Sequence, residues 1–347
     1  MDQISDSLKK NIAVIGCGYW GVNYIRLFSQ LAQVNLVAIC DTQTDRLNSV
    51  GEKFPLLRKY NEVQRLLKEE SLDAVIIATN PETHFDVTKE VINAGVHVLV
   101  EKPMTLISAE SKELIDLAKQ KNLILMVGHT FMFNAGIKKV KDILKSNEVG
   151  DVYYLYATRT NMGPIRTDVN SLWDLAPHDI SIFSYLLGEN PIEVNAIGKV
   201  ILNHEREDVG FITLKYPSGV IGNIHVSWID PYKVRQVVVV GSQMRIMFDD
   251  MSNLEPVRIF HKGVEVSHHE QIGFGEFKLL IRDGDIVVPK LNPSEPLKNQ
   301  ALHFLQCIDE NKEPISDGMN GFYVVRIMEA IQESIHKNGL SVQINYE

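Results

Sequence analysis

The sequence predicts an α/β chain in two parts. A doubly wound parallel sheet occupies residues 1–128, and an α+β part with an open, mostly antiparallel sheet occupies 129–347. Three observations predict it. Short, mostly apolar segments alternate with helix-length ones as far as Gly128, the texture of strands buried on both faces and their crossover helices. A Gly-x-Gly-x-x-Gly turn stands directly after the first of those segments. Beyond about Ser146 the runs become alternating and are joined by tight turns, as in an antiparallel sheet. A chain of 347 residues, 45% hydrophobic and 23% charged, is long enough for two cores.

The first strand, Ile12–Ile15, runs into Gly16-Cys17-Gly18-Tyr19-Trp20-Gly21. Gly16 permits the turn, Gly18 lets a pyrophosphate approach the backbone, and Gly21 lets the next helix pack on the strand. That helix, through about Leu31, aims its free N–H groups at the phosphates. The second strand, Val34–Cys40, ends in Asp41, twenty residues past Gly21. An acid there accepts from both ribose hydroxyls of adenosine and repels a 2′-phosphate. The pattern is that of a Rossmann fold reading NAD, with Arg46 leaving room for NADP. A plain helix cap is the competing reading of Asp41.

Helices follow over 45–53 and 61–70, with a short extended piece at 58–60 between them. Further strands are expected at 73–79, 96–100 and 123–128. A helix opening at Pro81 or Thr83 is stopped by Gly95, and another spans 108–121. Gly16, Asp41, Thr79, Lys102 and His129 all fall at strand ends, where such sheets bind their ligands. Tyr19, Trp20, Asn80, His84 and Glu101 border the same ends and join them as candidate cofactor contacts.

A helix over 134–146 leads into the second part. Strands are expected at 151–160, 192–200, 234–240 and 245–248, with a hairpin over 211–228 turning at Tyr216-Pro217-Ser218-Gly219. Residues 250–295 give no clear pattern. Amphipathic helices at 296–310 and 322–337 and a last strand at 342–344 close the chain.

A formal charge of −9 argues against a general nucleic-acid or acidic-membrane surface. Cys17, Cys40 and Cys307, odd in number and widely spaced, suit reduced thiols. No apolar run approaches the ~18 residues of a membrane span, and the polar first ten residues lack a signal-peptide core. A cytoplasmic enzyme without a metal set is the expectation.

Two clusters carry chemistry. Lys102, in Glu101-Lys102-Pro103, follows a buried strand, where a partly desolvated ammonium steadies a developing alkoxide; an ordinary solvated loop lysine is the alternative. Trp173-Asp174-Leu175-Ala176-Pro177-His178-Asp179 opens a helix that Gly188 ends, with Pro177 expected in its first turn. Asp174 and His178, four apart, then share a face, and the helix N-terminus keeps His178 neutral and able to take a proton. A capping Asp and a packed His are the plainer readings. Oxidising an alcohol needs a hydride acceptor, a base and a group to hold the oxygen, and NAD, His178 and Lys102 match these roles.

In combination, Gly16-x-Gly18-x-x-Gly21, Asp41, Glu101-Lys102-Pro103 and Asp174-x-x-x-His178 resemble the glucose-fructose oxidoreductase/inositol dehydrogenase (Gfo/Idh/MocA) family over nearly the whole chain. The resemblance implies a Lys–Asp–His catalytic set, a cis bond before Pro103, sugar or cyclitol substrates, and homodimers or homotetramers built through the second sheet. The stretch from Arg159 to Leu172, with Gly128-His129-Thr130-Phe131, is similar to members that oxidise C3 of a UDP-N-acetylamino sugar or its uronic acid. His129, Arg159, Asn161 and Arg166 thereby join Lys102, Asp174 and His178 as candidate substrate contacts, the arginines as a clamp on a diphosphate or carboxylate. Surface ion pairing is the other reading of the two arginines. An inositol or free-sugar dehydrogenase, an NAD-dependent glycosidase and a non-catalytic NAD-binding protein are the alternatives.

Overall fold

The computed structural model describes residues 9–163, 165–166, 168–202, 205–266 and 279–347. Residues 1–8, Pro164 and Thr167 of the candidate substrate stretch, 203–204, and 267–278 of the segment without a clear pattern lie outside them. By packing, the chain divides into two units. One runs to Thr130 and takes in Glu295–Arg326; the other is Phe131–Ser294 with Ile327–Glu347.

The first unit is built on β1 (Lys10–Ile15), α1 (Tyr19–Phe28), β2 (Val34–Cys40), α2 (Thr44–Lys53), β3 (Arg58–Tyr60), α3 (Val63–Glu69), β4 (Ala74–Ile77), α4 (His84–Asn93), β5 (His97–Val100), α5 (Ser108–Gln120) and β6 (Leu125–Val127). The six strands form a parallel sheet in the order β3-β2-β1-β4-β5-β6. The order reverses at β1, where doubly wound sheets place their ligand. Ile12, Val14, Val75, Ile76, Val98 and Leu99 are fully buried, and each such side chain contributes ~1.5–3 kcal/mol. Apolar runs without alternation are what strands covered on both faces require.

Residues 295–326 belong with this unit, not with the C-terminal half expected from sequence. They carry α8 (Pro296–Glu310) and the start of α9 (Gly318–His336). Gln300 of α8 donates to the buried Tyr24 hydroxyl of α1 at 2.9 Å, and Val127 of the edge strand β6 donates its N–H to the Ser316 carbonyl at 2.8 Å. The returning segment thus covers an edge that would otherwise stand open.

The second unit begins with α6 (Ala135–Lys145), β7 (Val152–Met162) and α7 (Ser171–Leu187), followed by β8 (Glu193–Lys199), β9 (Val209–Lys215), β10 (Ile221–Ser227), β11 (Ile229–Gly241), β12 (Arg245–Asp249) and β13 (Val257–Phe260). A separate two-stranded ribbon, β14 (Gly263–Val266) with β15 (Leu279–Arg282), and the short β16 (Ile286–Val287) and β17 (Val342–Gln343) complete it. The main sheet runs β16-β13-β12-β11-β7-β10-β9-β8-β17, and only the β7–β10 pair is parallel. The expected hairpin is present as β9–β10, with Gly219 at φ +87° supplying its turn.

Helices α6 and α7 pack on one face of this sheet. Alternation decides the rest: Ala196, Ile212, Leu214, Ile224 and Leu155 are buried, while Ile197, Phe211, Ile221 and Tyr154 between them are exposed. Register aligns the exposed ones. Ile197 pairs with Phe211, Phe211 with His225, and Ile221 with Tyr154; the Phe211 and His225 rings stack at 4.5 Å.

Helix α7 corrects one expectation. It begins at Ser171, where the Asn170 side chain accepts the Trp173 N–H at 2.9 Å, so Pro177 is its seventh residue and not part of its first turn. A proline there leaves the Trp173 carbonyl without its usual helical donor. The Asn170 cap and the buried Ile180, Phe183 and Leu186 hold the helix together regardless.

Candidate active site

At the C-terminal end of β1 the backbone has no room for side chains. Gly16 sits at φ +95°, and a Cβ there would lie 2.5 Å from the Ala78 carbonyl oxygen. A Cβ on Gly21 would lie 1.8 Å from the Gly16 carbonyl oxygen. Gly18, in extended conformation as the cap of α1, has nothing nearer its Cβ position than the Arg46 guanidinium at 3.9 Å. The turn is therefore tight on its protein side and open where a ligand approaches. Asp41 closes it from β2, with Oδ2 accepting the Cys17 N–H at 2.7 Å and Oδ1 the Gln43 N–H at 2.8 Å. This cradle fits a dinucleotide: glycines for the pyrophosphate, the first turn of α1 for its charge, and Asp41 for the ribose. Tyr19 and Trp20 stand exposed at the same end with their rings edge to face, and Cys17 is a buried thiol that burial pushes up to about 12.

Thr79 and Asn80 lie just past β4, Thr79 half-buried and Asn80 exposed. His84, expected to contact the cofactor, is fully buried instead. Its Nδ1 lies 2.7 Å from the Pro103 carbonyl oxygen and its Nε2 3.1 Å from that of Thr79, which seats the ring between the loop after β4 and the loop after β5. The Lys102–Pro103 peptide is cis. Glu101 is likewise turned inward. Its Oε1 accepts from the Tyr24 hydroxyl at 2.6 Å and its Oε2 from the Lys102 N–H at 3.1 Å. Gln300 donates to Tyr24, and Thr130 donates to Gln300 at 2.8 Å, which completes a hydrogen-bonded chain from the half-buried Thr130 to the backbone of Lys102. Tyr24 and Gln300 went unread in the sequence, although Gln300 interrupts the apolar stripe of Leu297, Ala301, Phe304 and Leu305.

Lys102 and His129 follow neighbouring strands at equivalent places, two residues beyond the paired Val100 and Val127. Both are buried, at 8% and 1% exposure. Burial first, and the Lys102 ammonium second, push the His129 imidazole down to about 3. Among the described residues neither of its ring nitrogens has a hydrogen-bond partner. A buried polar group in that condition costs ~1–3 kcal/mol, which a ligand group placed against it would remove.

His129 also makes stability depend on pH. Its value in the folded chain lies below its ordinary 6.5, so on acidification the unfolded chain takes up the proton first. The contribution is intact above about pH 6.5 and lost as pH falls toward about 3, reaching about 2 kcal/mol at pH 5. We expect His129→Asn to lose less stability than the parent between pH 7 and 5. Urea midpoints at the two pH values check this, and equal losses would refute it.

In the second unit Asp174 is gripped from two sides. Its Oδ1 accepts from Arg166 Nη1 and its Oδ2 from the Trp228 indole N–H, both at 3.1 Å. His178 follows one turn later, half-buried. It is the eighth residue of α7, too deep for the helix N-terminus to act on it, so that part of the expectation falls away. Arg166 also donates through Nε to Asp168 at 2.9 Å and holds the Asp168 carboxyl below its ordinary value. Arg159 is placed otherwise than a phosphate clamp requires. It is 4% exposed, and its Nε and Nη2 donate to Asp179 at 3.0 and 2.7 Å. A guanidinium committed to a buried carboxylate has no fork left for a ligand. Asn161 lies half-buried near the end of β7. Among the described residues no helix is long and apolar enough to cross a membrane.

Comparison with known proteins agrees with this layout. Residues 10–129 match the oxidoreductase family model with an NAD-binding Rossmann fold, and 137–247 match the GFO/IDH/MocA C-terminal domain. The myo-inositol 2-dehydrogenase of Thermotoga maritima is 29% identical over 251 residues, 69% of this chain and 75% of that protein. The UDP-N-acetylglucosamine 3-dehydrogenase of Acidithiobacillus ferrooxidans is 28% identical over 251 residues, 72% of this chain and 76% of that protein. A solved structure of the latter superposes with a TM-score of 0.80 at 24% identity, covering 95% of this chain and 99% of that one. With the glycine cradle described above and both domains matched, the chain belongs to the GFO/IDH/MocA family of NAD-dependent oxidoreductases.

Proposed function

We propose that the protein oxidises a ring secondary hydroxyl of a sugar, at C3 of a UDP-N-acetylamino sugar or its uronic acid. The observation that carries the chemistry is the buried Lys102 ammonium beside a neutral His129 whose ring nitrogens have no hydrogen-bond partner among the described residues. Lys102 donates to the reacting oxygen and stabilises the charge that develops on it. His178 takes the hydroxyl proton on a ring nitrogen as the carbon–oxygen double bond forms. Asp174, fixed by Arg166 and Trp228, orients that imidazole or accepts from a neighbouring hydroxyl. His129 donates to or accepts from a second hydroxyl of the ring. NAD, when bound, supplies the hydride acceptor.

The choice of a nucleotide sugar rests on the Gly128-His129-Thr130-Phe131 and Leu172-Trp173 stretches and on the similarity to a UDP-N-acetylglucosamine 3-dehydrogenase. One observation favours a second reading. Arg159 and Arg166 are both tied to carboxylates, which removes the expected diphosphate clamp and suits an uncharged polyol such as inositol. NAD reduction followed at 340 nm with UDP-N-acetylglucosamine, its uronic acid and myo-inositol, under coupled removal of the ketone, decides between them. Turnover of inositol alone would overturn the nucleotide-sugar assignment.

The exposed row of Ile197, Phe211, Ile221 and Tyr154 is proposed to be covered by a second copy of the chain, as an uncovered apolar face of this kind needs cover. Phe211→Glu is expected to lower the mass found by light scattering to that of a monomer while leaving the far-UV spectrum unchanged. A monomeric parent protein would end this part of the proposal.

A further inference from the structure

Around His178 the second unit closes a ring of contacts that the catalytic roles above do not use. Phe131 meets the His178 imidazole edge to face, with centroids 5.0 Å apart and planes at 68°. On the same phenyl ring lies the Arg159 guanidinium, 4.3 Å from its centroid. Arg159 forks onto Asp179 at 3.0 and 2.7 Å, and the two side chains are 5% and 1% exposed. Asp179 is the residue after His178 on α7. The circuit therefore runs from His178 to Phe131, from Phe131 to Arg159, from Arg159 to Asp179, and back through one peptide bond.

We infer that Phe131 and the Arg159–Asp179 pair are positioning residues that fix the orientation of the His178 imidazole. A helix alone holds the backbone of His178 but leaves its two side-chain torsions free to choose among rotamers. The circuit removes that freedom at both ends. The bidentate pair pins the neighbouring helical residue to β7, and because a guanidinium fork has one planar fit to a carboxylate, it also sets where the cation lies. The cation lies over the face of the phenyl ring, and that ring meets the imidazole edge to face. No member need touch substrate or cofactor for the arrangement to act on the reaction. The Arg159 charge is met inside the protein by the Asp179 carboxylate and is not presented to an anionic ligand.

The inference rests on His178 being the group that takes the proton, and its test separates the two. Removing one member of the ion pair would strand a buried charge and endanger the fold, so the ring at 131 is varied instead. Phe131→Leu is expected to lower kcat about tenfold or more, since small misplacements of a reacting group cost one to two orders of magnitude, with KM for NAD within about twofold of the parent. Phe131→Tyr, which keeps the ring, is expected to restore most of kcat. Without any substrate, the His178 ring signals of 15N-histidine-labelled protein, assigned with His178→Gln, are expected to broaden or shift in the Leu variant and return in the Tyr variant. Parent kcat and parent His178 signals in Phe131→Leu would overturn the inference, as would a loss of kcat that Tyr fails to rescue. If His178→Ala itself turned over like the parent, the assignment of the proton to His178 would fall instead.

Discussion

Replacing Lys102 with alanine is expected to lower kcat about a thousandfold, or about 4 kcal/mol in barrier height, while the affinity for NAD stays within about twofold. The size follows from where the side chain sits. At 8% exposure its ammonium is screened by little water, so its attraction for an oxygen gaining negative charge is much larger than that of a surface lysine. The side chain is also preorganised. The backbone on either side is tied down by the Lys102 N–H to Glu101 and by the Pro103 carbonyl to His84. Lys102→Arg is expected to recover little, because a planar fork does not replace a compact ammonium in a packed site. Single-turnover rates with a substrate from the panel, together with NAD binding measured by fluorescence quenching, check the result. A Lys102→Ala protein with parent kcat would remove the lysine from the chemistry.

The first unit was legible because its signals are local. An apolar run ending in glycine, followed by an acid twenty positions on, constrains backbone and ligand at once, and each strand end of the sheet could be placed from such runs. What escaped the sequence depends on partners far apart in the chain. Tyr24 meets Glu101 across 77 positions and Gln300 across 276, and nothing in the residues around Tyr24 specifies either partner. The same holds for Asp174 and the Trp228 indole, 54 positions apart. Burial reversed the roles of several polar residues for a related reason. Sequence places Arg159, His84 and Glu101 beside a site but does not say which way they face. The structure turns all three into the protein, where they lie against the carboxylate of Asp179, two carbonyl oxygens and the Tyr24 hydroxyl. Pro177 misled differently. Its usual preference for a first turn was outweighed by the Asn170 cap seven residues earlier.

The glycine turn permits a prediction that separates folding from binding. Gly21→Ala places a methyl carbon 1.8 Å from the Gly16 carbonyl oxygen, a backbone atom that cannot swing aside. Either α1 must move off β1 or the Gly16 turn must open. The expected cost is about 3 kcal/mol or more, at the upper end of overpacking penalties, because both fixed partners are main chain. NAD binding should be lost with it, since the first turn of α1 is displaced. Gly18→Ala should behave otherwise. Gly18 lies at φ −75°, which any residue adopts, and its methyl would meet nothing nearer than a flexible guanidinium at 3.9 Å. Its melting temperature should stay close to that of the parent. The methyl nonetheless occupies the direction from which a pyrophosphate must approach the backbone, so NAD affinity is expected to fall about 100-fold, or about 2.7 kcal/mol. Thermal melts and NAD titrations of the two variants side by side read both quantities. Equal stability losses would mean that the turn is not shaped as described, and unchanged NAD affinity in Gly18→Ala would mean that the pyrophosphate does not lie against it.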